Sequence, residues 1–250
     1  DKSSTDGFVY QIGTTYRLDD QWSVYGGYNT GFDLESVAGS RSRTGKQFEP
    51  EESDQYEAGI RYASDSLRGS VSLFQVRKTN VLTADPLDPD YSIQTGEYRV
   101  RGVEVEGAWQ PIDGLTIQGG YAYMDSKITK SNNGDQGDDI ADVPEHQANV
   151  FVSYAVPDTQ LVVRGGVNYV GERRFSNGRV PVAPGLLASD VTLPDYVTVD
   201  LGATYSIDKT RMDLSVTNVF DEEYYTHEFN DYSVFPGDPL AVNFRVSQSF

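Results

Sequence analysis

The sequence predicts an all-β fold, an antiparallel meander of about eleven strands that forms the wall of a transmembrane β-barrel. Three features predict it. The first is a two-residue period. In residues 196–220, YVTVDLGATYSIDKTRMDLSVTNVF, one face of an extended strand carries Val197, Val199, Leu201, Ala203, Tyr205 and Ile207. The other carries Thr198, Asp200, Gly202, Thr204 and Ser206. After the polar turn DKTR, Met212, Leu214 and Val216 alternate with Asp213, Ser215 and Thr217. The second feature is recurrence: the same unit repeats along the chain, with short turns alternating with long polar loops. The third is that helical periodicity is missing, as is any apolar run of the roughly 20 residues a transmembrane helix needs.

The elements follow in order. A first strand falls near residues 8–17 and a second near 22–32, joined by the turn LDDQ, and a polar loop fills 33–52. Strands near 54–63 and 67–79 flank the turn ASDS, and 80–92 reads as a loop. A strand near 93–109, the turn QPIDG and a strand near 115–129 precede the Asp-, Asn- and Gly-rich loop 130–145. Strands near 146–156 and 160–175 flank the turn PDTQ, and loop 176–194 is rich in Pro and Gly. The two strands of 196–220 come next, then a loop over 221–240 and a last strand over 241–250. The short turns all fall at one end of the strands and the long loops at the other. Outer-membrane barrels place short turns in the periplasm and long loops outside.

Faces can be assigned strand by strand. Val103, Val105, Gly107 and Trp109 face lipid, with Glu104, Glu106 and Ala108 inside. Leu115, Ile117, Gly119, Tyr121 and Tyr123 oppose Thr116, Gln118 and Gly120. Ala148, Val150, Val152, Tyr154 and Val156 oppose Gln147, Asn149 and Ser153, and Tyr56, Ala58, Ile60 and Tyr62 oppose Gln55, Glu57 and Arg61. Charge therefore gathers on the inward face. Trp22, Trp109, Tyr62, Tyr154 and Tyr205 lie near the short-turn ends, where an aromatic girdle belongs.

Composition agrees. A mean hydropathy of -0.49 does not exclude a membrane protein, because half of each barrel strand can be polar. The 17 Tyr suit the headgroup level, and the 24 Gly ease sheet bends. Cysteine is absent, which removes disulfides and thiolate metal sites. A net charge of -18 argues against a nucleic-acid partner, which needs a basic surface. Acid concentrates in DPLDPD (85–90) and DQGDD (135–139), which read as solvated loop surface; neither has the spacing of an EF-hand calcium loop.

An odd number of crossings sets the first and last strands parallel, whereas bacterial single-chain barrels usually have even counts and leave no edge in lipid. The sequence does not start with Met and shows no leader, so either processing removed a leader or the chain is a piece of something longer; the strand count favours a piece, and the expectation is the C-terminal part of a larger barrel, residues 1–250, without its plug.

Candidate chemistry is sparse. In TNVFDEEYY (217–225), Asn218 and Asp221 suit the satisfaction of backbone groups at a strand end. Glu104 and Glu106 of RGVEVEG share a face, but read better as polar barrel wall than as an acid–base pair. His146 and His227 are the only histidines, and neither sits in a metal-ligand spacing. No nucleophile–base arrangement is visible, so no catalytic residue, resident cofactor or metal ligand is assigned, and the chain reads as a non-enzyme.

Five segments resemble the TonB-dependent ferric-siderophore receptors of the ferrichrome (hydroxamate) type: FEPEESDQYEAGIRY (48–62), NVLTADPLDPDYSIQTGEYRVRGVEVEGAW (80–109), GLTIQGGYAYMDSKIT (114–129), VPEHQANVFVSY (143–154) and LSVTNVFDEEYY (214–225), with the terminal Phe250. The resemblance implies half of a 22-stranded barrel, an outer-membrane location, and an N-terminal plug that contacts the TonB complex. It implies a ferric siderophore bound at the outer mouth, with iron present only as part of the chelate. Cobalamin, haem or a glycan remain alternative cargoes, and a plug-less porin or adhesin barrel and a soluble β-sandwich remain alternative classes. The resemblance also points to mouth aromatics. Tyr225, Phe229, Tyr232 and Phe235 fall in one long loop, and Phe32, Tyr91 and Phe175 stand at other strand tops. Two readings stand for these rings: ligand contact, or packing of the loop against its neighbours. Arg173 and Arg174 offer an anionic chelate a partner. In the last strand, Phe244, Val246 and Phe250 resemble the signal read by the barrel assembly machinery, with Gln248 a departure from the usual apolar residue. Outer-membrane lipid is the remaining partner.

Overall fold

The computed structural model describes residues 8–33, 40–178, 181–230 and 232–250, the side chains of 89 and 228–230 excepted. Its wall begins with β1 (Gln11–Arg17), β2 (Trp22–Asp33), β3 (Glu51–Ala63), β4 (Leu67–Asp85) and β5 (Asp88–Ile112). It continues through β6 (Leu115–Lys130), β7 (His146–Ala155) and β8 (Leu161–Val170). The short strands β9 (Arg173–Arg174), β10 (Pro181–Ala183), β11 (Leu186–Leu187) and β12 (Thr192–Leu193) interrupt it, with a 3-10 turn at Ala188–Asp190. The wall resumes with β13 (Tyr196–Ile207) and β14 (Thr210–Thr217), and after the hairpin β15 (Tyr225–Asn230) and β16 (Ser233–Pro236) it ends with β17 (Ala241–Gln248).

Eleven strands form one antiparallel sheet in the order β1-β2-β3-β4-β5-β6-β7-β8-β13-β14-β17, so each wall strand pairs with the next wall strand along the chain. Short turns make this possible at one end. Asp19 accepts from the N–H groups of Gln21 and Trp22 at 2.8 and 2.7 Å, and Gly114 takes a φ of +80° that closes the β5–β6 turn. β1 and β17 are the sheet edges among the described residues.

Register turns the two-residue period into two continuous surfaces. Across the sheet, Val24 faces Ile60, then Val71, Val105, Tyr121, Ala148, Tyr169 and Val197 in successive pairs. One residue away, the other face runs Ser23, Arg61, Ser70, Glu106, Gly120, Asn149, Asn168 and Thr198. A slip of one residue in any strand exchanges these surfaces, so the register is strongly determined. The apolar face is exposed at Leu73, Leu201 and Phe244, a pattern that suits hydrocarbon and would be an aggregation hazard in water. Trp22 and Tyr62 pair with ring centroids 4.8 Å apart at the short-turn end, where Trp109, Tyr154 and Tyr205 also lie. Tyr10, Tyr28 and Tyr56 form a second aromatic row toward the long-loop end, with centroids 6.4 and 4.7 Å apart.

The polar face carries interlocked side chains. Arg61 lies 3.7 Å over the Tyr25 ring, and position 59 is glycine because a Cβ there would meet that ring at 2.7 Å. Thr204 accepts from Arg164 at 2.7 Å and donates to Asp213 at 2.7 Å, and Arg211 holds the same carboxylate at 2.8 Å.

Several expected boundaries shift. Residues 80–92 are not a loop: β4 and β5 run on to Asp85 and Asp88, because Asp85 accepts from the Leu87 N–H at 2.9 Å and closes a tight turn around Pro86. The strand expected over 160–175 stops at Val170, where Gly171 donates to the His146 carbonyl at 2.8 Å and leaves the sheet. The strand expected to end at 109 continues to Ile112, leaving Asp113–Gly114 as the turn. Loops 176–194 and 221–240 contain small ribbons of their own.

An arginine on the apolar face at mid-height costs roughly 2–4 kcal/mol in lipid. In the full-length protein, Leu214→Arg should therefore abolish or sharply reduce heat-modifiable, membrane-assembled barrel, and Ser215→Arg on the neighbouring polar face should leave most of it. Equal loss in the two variants would overturn the face assignment.

Candidate functional site

The long loops meet in a layer above one end of the sheet, and polar side chains hold that layer together by gripping backbone. Gln94 is one clamp: it donates to the Glu49 carbonyl at 2.5 Å and accepts from the Glu49 N–H at 2.8 Å. Arg43 reaches Asp85 at the hairpin tip at 3.0 Å. The Leu87 amide, with Arg43 behind it, holds the Asp85 carboxyl below its ordinary value of 3.8. On the other side of this hairpin, Asn132 donates to Thr95 at 2.8 Å, and Asn133 accepts from the Ala84 N–H at 2.8 Å.

A second set of ties joins loop 131–145 to the segments after β8 and β14. Arg174 donates to the carbonyls of Asp139 (2.8 Å) and Ser189 (3.1 Å) and pairs with Asp138 at 3.1 Å. Asn177 accepts from the Ala141 N–H at 2.8 Å. Arg173 is buried and donates to the carbonyls of Tyr225 at 2.6 Å and Thr226 at 2.9 Å, with its guanidinium 5.7 Å from the Tyr196 ring. Tyr196 in turn stacks on Tyr224 at 4.3 Å. Asn218 is the hinge post of loop 221–240. It is 3% exposed, with a φ of +48°. Its amide donates to the carbonyls of Glu222 and Asp238 at 2.9 and 3.0 Å and accepts from the Glu222 N–H at 2.9 Å. Its own N–H donates to Asp200 at 2.8 Å, and Asp221 accepts from the Leu240 N–H at 2.9 Å.

The expected mouth aromatics divide on this scaffold. Tyr225 and Phe235 are exposed on the β15–β16 hairpin, Phe235 packing against His227 at 4.6 Å, and Tyr232 at its tip is 71% exposed. The side chain of Phe229 lies outside the described residues. Phe175, expected at the ligand surface, is instead buried at 6% exposure with Ala188 and Leu193, and Val182, Val191 and Val234 close the cluster. Its ring is spent on fastening loop 171–195 beneath the hairpin. Phe32 is exposed at the end of β2, opposite Glu52, and Tyr91 is half-buried on β5. The structure does not gather these two with the hairpin: β5 stands five strands from β14, roughly 24 Å of sheet. Arg173 and Arg174 are committed to loop backbone and acidic partners rather than held out for an anion. Phe244 and Val246 point along the apolar face of β17 opposite Leu214 and Met212, and Phe250 is exposed beyond the strand. Among the described residues no group of three or more His, Asp or Glu is arranged to hold a metal ion.

Comparison with known proteins agrees with this architecture. Residues 1–219 match the family described as TonB dependent receptor-like, beta-barrel. The chain belongs to that TonB-dependent receptor family. It is 32% identical over 248 residues to the metal-pseudopaline receptor of Pseudomonas aeruginosa, covering 96% of this chain and 33% of the relative. It is 29% identical over 254 residues to the ferrichrome outer membrane transporter/phage receptor of Escherichia coli K12, covering 97% and 32%. The crystal structure of the Pseudomonas aeruginosa ferripyoverdine receptor bound to ferripyoverdine superposes with a TM-score of 0.79 at 27% identity, over 97% of this chain and 33% of that one. The chain thus spans about a third of the length of these relatives. As part of a TonB-dependent receptor barrel it is an outer-membrane protein, and its family consists of transport receptors, not enzymes.

The sequence singled out Asn218 within a motif but not its reach to Asp238, since a side chain's partner 20 residues away leaves no local signature. In the receptor barrel, Asn218→Ala removes both donors and the acceptor of a buried amide, and each group left unpaired costs about 1–3 kcal/mol. Proteolysis within 222–240 should accelerate at least about tenfold while the sheet stays assembled; an unchanged cleavage rate would contradict the hinge-post role. Asp85 yields a pH dependence. Its folded value lies below its unfolded one, so the tie contributes above the ordinary carboxyl range and is lost as pH falls through the lowered value. Amide-exchange protection at 85–88 should hold from about pH 7 to 5 and be lost only as pH falls below the ordinary carboxyl range, and Asp85→Asn should flatten that profile. The same pH profile in parent and Asp85→Asn would count against it.

Proposed function

We propose that the full receptor containing this wall imports a ferric siderophore across the outer membrane. In this reading residues 1–250 are the C-terminal part of a 22-stranded barrel, and a plug preceding them contacts the TonB complex. Iron enters only within the chelate, so the wall needs no resident cofactor. The chelate docks against the long-loop layer, and energy delivered through TonB then moves the plug and opens a path along the polar face.

The observation that carries this reading is the β15–β16 hairpin. It presents Tyr225, Tyr232 and Phe235 outward on a scaffold locked by Arg173, Phe175 and Asn218. Rigid aromatic side chains on a fixed support suit a compact, weakly charged chelate, because little order has to be imposed on binding. The names of relatives support the cargo class: ferrichrome, ferripyoverdine and ferrioxamine B receptors stand among them. The relative named for metal-pseudopaline favours a second reading, a chelate charged with another metal.

The test is equilibrium binding of a panel of chelates to the full-length receptor, hydroxamate and other classes, each loaded with iron and with other divalent and trivalent metals. One ferric siderophore should bind with the highest affinity. Tyr232→Ala combined with Phe235→Ala should weaken it by about tenfold or more. Equal affinity of variant and parent would retire the hairpin as the contact surface, and failure of every chelate would retire the cargo class.

A further inference from the structure

Two asparagine side chains that hold the loop layer together are each followed by glycine: Asn133–Gly134 and Asn177–Gly178. In such a pair the glycine nitrogen can attack the asparagine side-chain carbonyl, because no Cβ on the following residue crowds the approach. The two dipeptides are identical in sequence, and their surroundings in the fold set them apart.

Their electrophilic ends are alike. Asn133 Oδ1 accepts from the Ala84 N–H at 2.8 Å, and Asn177 Oδ1 accepts from the Ala141 N–H at 2.8 Å. Each bond draws electron density from Cγ and is placed to stabilise the negative charge that the oxygen takes up when Cγ is attacked. The nucleophilic ends differ. In each loop a serine hydroxyl accepts from the backbone N–H two residues further on. In Ser176-Asn177-Gly178 that N–H belongs to Gly178, at 2.9 Å. In Ser131-Asn132-Asn133-Gly134 it belongs to Asn133, at 3.0 Å. One residue of spacing thus leaves the Gly134 N–H without an acceptor among the described residues. Gly178 is fixed at its other end as well, its carbonyl accepting from the Ser189 N–H at 3.0 Å, and the dipeptide is half-buried behind Ser176, which is 1% exposed. Asn133 and Gly134 are exposed, and Gly134 takes a φ of +83°, from which glycine moves to other conformers without steric penalty.

We propose that Asn133 is a site of spontaneous deamidation in the folded receptor and that the fold protects Asn177 from the same reaction. The Gly134 nitrogen gives its proton to hydroxide and attacks Asn133 Cγ. The N–Cγ bond forms, the Cγ–Nδ2 bond breaks and ammonia leaves, closing a succinimide. Water then opens the ring at one of its two carbonyls. One opening gives aspartate at position 133, and the other gives isoaspartate, with the main chain routed through Cβ and Cγ. One water is consumed and one ammonia released, and no oxidant or reductant takes part.

The reaction acts on a structural tie. Asn133 joins loop 131–145 to the β4–β5 hairpin through Ala84, beside the bond from Asn132 to Thr95. Aspartate at 133 keeps an acceptor oxygen for the Ala84 N–H. Isoaspartate lengthens the main chain by a methylene and moves the carboxylate out of register, so that tie is lost. Either product adds a negative charge next to the acidic run 135–139, where like charges repel. This part of the loop layer therefore loosens with the age of the molecule, whatever cargo the receptor carries.

The experiment follows the full-length receptor in detergent through warm incubation at mildly alkaline pH, by peptide mass mapping and isoaspartate methyltransferase labelling. The same protein unfolded in urea is the reference, since both glycine nitrogens are free there. In the folded receptor Asn133 should convert at least about tenfold faster than Asn177, and in urea the two should differ by less than about threefold. Ser176→Ala, checked for assembly by heat-modifiable mobility, should raise conversion at Asn177 about tenfold and leave Asn133 unchanged. Amide-exchange protection at Ala84 should fall as isoaspartate accumulates. The proposal is overturned if Asn177 converts as fast as Asn133 in the folded receptor, or if the ratio of the two rates is the same folded and in urea. Both comparisons use the parent protein, so they decide the matter even where Ser176→Ala fails to assemble. Unchanged conversion at Asn177 in an assembled Ser176→Ala receptor would overturn the serine's protective role, and unchanged protection at Ala84 would overturn the loosening.

Discussion

Lateral backbone pairing governs everything else in this molecule. In hydrocarbon no water is available to an unpaired N–H or C=O, so every wall residue must find its partner on a neighbouring strand. That demand makes each strand extended, ties each to its sequence neighbour, and leaves side chains two directions only. The division into a lipid-facing and a polar surface follows from it, and so does the placement of variety in the loops. The wall tolerates Gly, Ala, Val or Tyr on its outer face because the sheet is held by main chain. The loop layer, by contrast, is held by side chains that seek out main chain in other loops.

That difference explains what was legible in the sequence. The wall is legible almost strand for strand, because alternation such as Val197 to Ile207 is a local signal that survives whatever surrounds it. The hairpin over 80–92 is not, because DPLDPD carries the composition of a loop. Only the Asp85 carboxylate's bond to the Leu87 N–H makes it a tight turn. The ends of β8 and β5 shifted for similar reasons, each decided by a contact with another strand.

The loop layer was legible in composition and opaque in role. Phe175 and Phe235 look alike in sequence, yet one is sealed beneath the layer and the other lies on its surface. Arg173 and Arg174, attractive as anion partners, are structural ties whose acceptors come from distant loops. Side chains with several hydrogen-bonding atoms are well suited to such ties, and nothing in their immediate neighbours announces it.

The Arg173 tie has one more consequence. It grasps the carbonyl oxygens of Tyr225 and Thr226, groups that every amino acid supplies. Its hold on the hairpin is therefore indifferent to which side chains stand at 225 and 226. A surface mounted in this way can exchange its outward residues over evolutionary time while its support stays in place, so that one wall and one loop scaffold can be refitted to new chelates without being rebuilt.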